Sequence, residues 1–259
     1  MKVFLIQFSP TWENKESNYS KVRNLIERCS PEPHSLVVLP EAFATGFSLN
    51  PKATTKAEPD QTYAFLSNIS TSHKIWILAG VIVPNENNAK AKNIAVLFNP
   101  NGKQVGAYQK MYPFTPMGEE KVHTRGKSTK TFHVEGFQLS PILCYDLRFP
   151  ELFRMNIVQG TNLFVVIASW PKVRINHWHT LLQARAIENQ AYVIGLNRTG
   201  KDPNHNYSGG SRVIDPTGKT VVEMKDKEEV ASTKLDRKLV DQWRNKFPVL
   251  QDIREDLLP

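Results

Sequence analysis

Short apolar runs, each stopped by a polar or proline-marked turn, constrain the fold of this chain more than any other feature. Trp76-Ile77-Leu78-Ala79-Gly80-Val81-Ile82-Val83, Leu163-Phe164-Val165-Val166-Ile167-Ala168 and Ala191-Tyr192-Val193-Ile194-Gly195-Leu196 contain neither charge nor polar alternation. Bounded runs of that length are buried strands, covered on both faces. Val3 to Phe8 and Ser35 to Leu39 read the same way. Helical spacing alternates with them. Val22, Leu25, Ile26 and Cys29 share one face, and so do Trp178, Leu181, Leu182 and Ala186 within a helix from Val173 to Asn189. Asp60 is expected to cap a helix carrying Phe65, Leu66 and Ile69, and Asp236 one carrying Leu239, Trp243 and Phe247 in line.

Hairpins are interspersed. Ile94 to Phe98 and Gln104 to Tyr108 flank Asn99-Pro100-Asn101-Gly102, and Asp215-Pro216-Thr217-Gly218 repeats that turn between Val213 and Val222. Thr131 to Val134 and Phe137 to Leu143 pair around Glu135-Gly136. The pattern reads as an α/β fold on a mixed sheet of about a dozen strands, with helices outside. No composition shift or low-complexity linker interrupts the 259 residues, so residues 1–259 are taken as one domain.

The formal charge of +8 raises the question of nucleic acid. Lys and Arg are scattered, with acids close by, as in Lys225-Asp226-Lys227-Glu228-Glu229, and neither a basic run nor a finger spacing occurs. A solvated basic surface that attracts an anionic small molecule fits better than nucleic acid. The apolar start of the chain is too short for a signal segment or a membrane span. Cys29 and Cys144 without a secretory signal point to the cytoplasm and no disulfide framework. Cys29 falls on a helix face and reads as core.

Cys144 is different. Ile142 and Leu143 close a strand, the cysteine follows, and Pro150 suits the first position of a helix through Val158. The thiol stands at a strand-to-helix elbow, where a helix N-terminus or a cation lowers a thiol's pKa. A buried core cysteine is the plain alternative. Glu41 and Lys110 also lie just past apolar strands. A carboxylate there can take the thiol's proton and later give it to a departing amine, and the lysine can face a developing oxyanion. That chemistry suits cleavage of a carbon–nitrogen bond through a thioester. The loop 111–128, with Pro113, Pro116, Gly118 and Gly126, is long enough to carry function.

Leu36-Val37-Val38-Leu39-Pro40-Glu41, Tyr108-Gln109-Lys110 and Leu143-Cys144-Tyr145-Asp146-Leu147-Arg148-Phe149-Pro150-Glu151 resemble the three signature motifs of the nitrilase (carbon–nitrogen hydrolase) superfamily. Ala168-Ser169-Trp170-Pro171, Ala184-Arg185-Ala186-Ile187-Glu188-Asn189-Gln190-Ala191-Tyr192 and Asn197-Arg198 resemble its omega-amidase branch. The resemblance covers essentially the whole chain. It implies a four-layer αββα sandwich with two mixed β-sheets, and a homodimer formed through helices near the elbow. The polar tail from Asp252 to Pro259 is a further candidate for packing on a partner subunit.

By the same resemblance Glu41 is the general base, Lys110 the oxyanion stabiliser and Cys144 the nucleophile. Aligning Gly118-Glu119 and Gly126 makes Glu119 the additional glutamate, rather than Glu120. Arg148 is expected to clamp a substrate carboxylate, its plain alternative being an ion pair with Glu151, and Tyr145, Trp170 and Phe114 to complete the substrate pocket. Glu120 and Met111-Tyr112-Pro113 depart from the family's usual residues. The implied reaction is hydrolysis of a small dicarboxylate monoamide, such as 2-oxoglutaramate or 2-oxosuccinamate, to the diacid and ammonia. It needs no metal and no cofactor. Other amidase or N-carbamoyl hydrolase activities of the superfamily are the alternative, and a non-catalytic binding scaffold is the alternative of another class. A Cys–His arrangement with His123, His133 or His177 is the rival mechanism. His177 and His179, two residues apart on a helix, do not aim at one metal.

Overall fold

The computed structural model describes residues 1–86 and 88–258, the side chains of Asn88, Ala89 and Leu257 excepted. The first sheet is built from β1 (Lys2–Gln7), β2 (Leu36–Val38), β3 (Trp76–Asn85), β4 (Asn88–Phe98) and β5 (Gln104–Gln109). The second takes β6 (Phe132–Val134), β7 (Phe137–Leu143), β8 (Leu163–Ala168), β9 (Tyr192–Asn197), β12 (Arg212–Ile214) and β13 (Thr220–Glu223). β10 (Thr199–Lys201) and β11 (Asn206–Ser208) form a small ribbon, and β14 (Glu229–Lys234) returns to the first sheet. The strand orders are β14-β1-β2-β3-β4-β5 and β13-β12-β9-β8-β7-β6. In each sheet three central strands are parallel (β1, β2, β3 and β7, β8, β9) and the flanking pairs antiparallel.

The helices are α1 (Lys15–Cys29), α2 (Pro51–Thr54), α3 (Asp60–His73), α4 (Glu119–Val122), α5 (Pro150–Val158), α6 (Ile175–Asn189) and α7 (Arg237–Lys246). Strand periodicity distributes the apolar residues between layers. Val3 and Leu5 face the second sheet, whereas Phe4 and Ile6 face α1 and α3. In β8, Leu163, Val165 and Ile167 enter the inter-sheet core, while Phe164 and Val166 pack under α5 and α6. The result is the αββα sandwich that the motifs imply. Uninterrupted apolar runs are needed because both faces of each central strand are dry. Among the described residues no helix is long and apolar enough to cross a membrane.

Some local expectations need correction. Asp60 is the first residue of α3 rather than its cap; Pro59 precedes it, and no side chain caps that end. The helix expected from Val173 begins at Ile175, behind a 3₁₀ turn over Lys172–Arg174. Asp236 does cap α7, accepting from the Lys238 N–H at 3.0 Å, but the buried residue there is Val240, and Phe247 lies past the helix, 54% exposed. Leu250 and Ile253 near the tail pack on the α5–α6 layer of their own chain; Pro259 lies outside the described residues.

Candidate active site

The carboxyl ends of β2, β5, β7 and β8 converge at one end of the sandwich, the place where open α/β sheets put ligand-contacting groups. Glu41, Lys110 and Cys144 follow β2, β5 and β7, and all three line one cavity. Close backbone packing places the first. A Cβ on Gly80 of β3 would lie 2.5 Å from the Glu41 Cα, so only glycine lets the Pro40-Glu41 segment cross there. Cys144 (φ +45°) and Ala42 beside Glu41 (φ +48°) are both in the left-handed region, a strained conformation for residues with a Cβ. The elbow at Cys144 is a 3₁₀ helix over Cys144–Arg148, and α5 starts only at Pro150.

Lys110 is almost fully buried between two carboxylates. Its Nζ donates to Glu41 Oε1 at 3.0 Å and to Glu119 Oε2 at 2.8 Å. Asn93 Nδ2 bridges the same two groups, at 2.9 Å to Glu41 and 3.1 Å to Glu119. The Ser169 N–H donates to Glu41 Oε2 at 2.9 Å, and the Phe114 N–H to Glu119 Oε2 at 2.5 Å. Each oxygen is thereby aimed, which is how a low-dielectric site keeps buried charges in place. Glu119, and not Glu120, reaches Lys110; the Glu120 carbonyl instead accepts from Lys90.

Residues 2–245 match the carbon–nitrogen hydrolase family. This chain belongs to that family. It is 31% identical over 253 residues to the 2-oxoglutaramate amidase of Bacillus subtilis, covering 97% of both chains. It is 34% identical over 264 residues to the omega-amidase YafV of Yersinia enterocolitica, covering 100% of this chain and 98% of that one. Its fold overlays that of XC1258 from Xanthomonas campestris, a CN-hydrolase superfamily protein solved with an arsenic adduct in its active site. The TM-score is 0.92 at 30% identity, with 100% and 99% of the two chains covered.

Burial works against the Lys110 charge, yet Glu119 and Glu41 outweigh it and hold the ammonium well above its ordinary range. Burial also opposes ionised Glu119, but Lys110 and His123 keep that carboxylate low. The sulfur departs from expectation. Burial and then the Glu41 carboxylate push the Cys144 thiol up, overcoming the opposing pull of Lys110 and the Ser169 N–H. That balance favours the protonated thiol at Cys144 over a preformed thiolate, because Lys110 is already committed to two carboxylates. Ultraviolet thiolate absorbance, taken as wild type minus Cys144→Ala, should be silent at neutral pH and emerge only above the ordinary thiol range of ~8.5. Thiolate absorbance near neutrality would contradict this.

All four expected substrate-binding residues line the cavity: Phe114, Tyr145, Arg148 and Trp170. The Arg148 guanidinium lies 4.8 Å from the Trp170 ring and meets His177 at 3.2 Å. It forms no pair with Glu151, which accepts instead from the Tyr112 hydroxyl at 3.0 Å. Tyr112, one of the departures from the usual family sequence, stacks on Phe149 at 3.6 Å outside the cavity. The histidines of the rival mechanism are elsewhere: His123 is tied to Glu119 at 3.1 Å, His177 to Arg148, and His133 is exposed on β6.

Several participants escaped the sequence reading. Asn93 lies one residue before the recognised apolar run of β4. Asp146, fully buried, accepts from the Tyr108 hydroxyl at 2.6 Å and from the Tyr112 N–H at 2.8 Å, joining the elbow to the strand end that bears Lys110. Phe47, Met117, Arg174, His205 and Tyr207 complete the cavity wall. Gly80 alone had a sequence signal, as a glycine inside a fully apolar strand.

Proposed function

We propose that this protein hydrolyses the terminal amide of small dicarboxylate monoamides, such as 2-oxoglutaramate and 2-oxosuccinamate, to the diacid and ammonia. Cys144 Sγ attacks the amide carbonyl while its proton passes to Glu41. The carbonyl oxygen, now negative, is met by the Lys110 ammonium, preorganised at no further cost in solvent reorganisation. Collapse of the tetrahedral intermediate breaks the C–N bond. The proton on Glu41 goes to the departing nitrogen, leaving a thioester. Water, deprotonated by the same carboxylate, then releases the acid and restores the thiol. Glu119 takes no proton; it fixes Lys110 and balances its charge. The sequence of steps balances without a cofactor.

The observation that carries the substrate class is Arg148. It faces the cavity, stacked on Trp170, with no carboxylate partner among the described residues. Arg174, 5.4 Å from the Phe114 ring, adds a second cation to the same wall. A guanidinium fork without an acid is suited to a substrate carboxylate bound through two parallel hydrogen bonds. The amidase name borne by the Bacillus relative supports the same class. Two unpaired cysteines support action in a reducing cytoplasm, and the family resemblance a homodimer.

The test is ammonia release from 2-oxoglutaramate, from its carboxylate ester and from simple nitriles. The free acid should be strongly preferred, and Arg148→Ala should raise KM for it ~10- to 100-fold, the worth of a charge-assisted pair. Equal rates on neutral amides, or preference for nitriles, would overturn the substrate class while leaving Glu41, Lys110 and Cys144 in their roles.

A further inference from the structure

His123 has no step in the chemistry above, yet the fold holds it against the charged cluster. It ends α4, where its N–H donates to the Glu119 carbonyl at 2.7 Å. His123 also forms a parallel bridge with Ala91 of β4, and the Thr124 N–H donates to the Ala91 carbonyl at 2.9 Å. Glu119 and His123 are one helical turn apart, so their side chains share a face. The imidazole is 2% exposed and stands behind the cavity wall rather than in it. Only one of its nitrogens has a hydrogen-bond partner among the described residues. Nδ1 lies 3.1 Å from Glu119 Oε1, and Nε2 is buried with none.

Two groups meet each oxygen of Glu119. Oε2 accepts from the Lys110 ammonium and the Phe114 N–H, and Oε1 from Asn93 Nδ2, with His123 Nδ1 beside it. The pair at Oε1 is unequal. Asn93 Nδ2 also donates to Glu41 Oε1, the carboxylate that gains and loses a proton during the proposed reaction. His123 serves Glu119 alone. An ionised carboxylate only accepts, so Nδ1 must carry the hydrogen in that contact.

We propose that His123 is a positioning residue: its Nδ1–H holds the Glu119 carboxylate still while Glu41 changes charge, and so keeps the Lys110 ammonium aimed at the oxyanion. The inference rests on the roles proposed for Glu41 and Lys110. It gives the histidine a task that no other group shares. Without it, the only donor left to Glu119 Oε1 is one divided with the carboxylate that titrates.

The experiment compares His123→Leu and His123→Asn with the wild type in ammonia release from 2-oxoglutaramate. The leucine has no donor, so kcat should fall ~10- to 100-fold through misplacement of the lysine, with KM changed less than ~3-fold because the cavity wall is untouched. The asparagine carries an N–H at the Nδ1 position and should recover most of the loss. A role in packing alone would follow volume instead, making the smaller asparagine the worse of the two. Long-range ¹⁵N–¹H correlation NMR of the wild type should show His123 Nδ1 protonated. That spectrum decides the donor even if the wild type leaves 2-oxoglutaramate untouched, a result that would count against the substrate class and not against His123. A bare Nδ1, wild-type kcat in His123→Leu, or His123→Asn slower than His123→Leu would overturn the proposal.

Discussion

Cys144→Ala is expected to lower kcat by at least ~10⁴-fold while the protein stays folded, because Cys144 is the only thiol among the described residues that line the cavity. Cys29, the other thiol, packs at the end of α1 in the outer core. The substitution removes a single sulfur atom and leaves the backbone elbow in place, so the melting temperature should move little. Ammonia release and thermal unfolding, measured on the same preparation, check both halves. Retained turnover would remove the thioester from the mechanism.

Lys110→Met should cost both activity and stability. An oxyanion donor of this kind is worth ~10²- to 10³-fold in kcat. The substitution also leaves Glu41 and Glu119 buried side by side without the ammonium between them, and breaking a buried pair in this way costs about 3–5 kcal/mol. The two losses are separable. Adding Glu119→Gln removes one of the stranded charges, so Lys110→Met/Glu119→Gln should regain part of the lost stability in denaturant unfolding. It should regain none of the turnover. Recovery of activity along with stability would mean that Lys110 serves only to neutralise the carboxylates.

The division between legible and hidden features follows the range of the interactions. β1, β3, β8 and β9 were plain in the sequence because both faces of each are buried, so burial is written along the strand itself. β14 was not. Glu229-Val230-Ala231-Ser232-Thr233-Lys234 is polar and half exposed, and becomes a strand by pairing antiparallel with β1, more than two hundred residues away. β10 and β11 are three-residue strands whose ribbon brings Tyr207 to the cavity wall.

At the site, Glu41, Lys110 and Cys144 could be found because each follows a strand within a compact motif. Glu119 was separable from Glu120 only by the placing of Gly118 and Gly126. Asn93 and Asp146 act through partners distant in the chain, and nothing local marks them. The thiol's elevation was hidden for the same reason: charge balance around Lys110 depends on three segments meeting.

The decisive step of the proposed chemistry is the transfer of the Cys144 proton to Glu41 as the thioester forms. Intact mass and peptide mapping under single-turnover conditions with 2-oxoglutaramate measure that step. The wild type should carry a transient acyl group on Cys144, and Glu41→Gln should acylate slower by ~10²- to 10⁴-fold, the usual worth of a general base. Acylation of Glu41→Gln at the wild-type rate, or an acyl group on any residue other than Cys144, would contradict it.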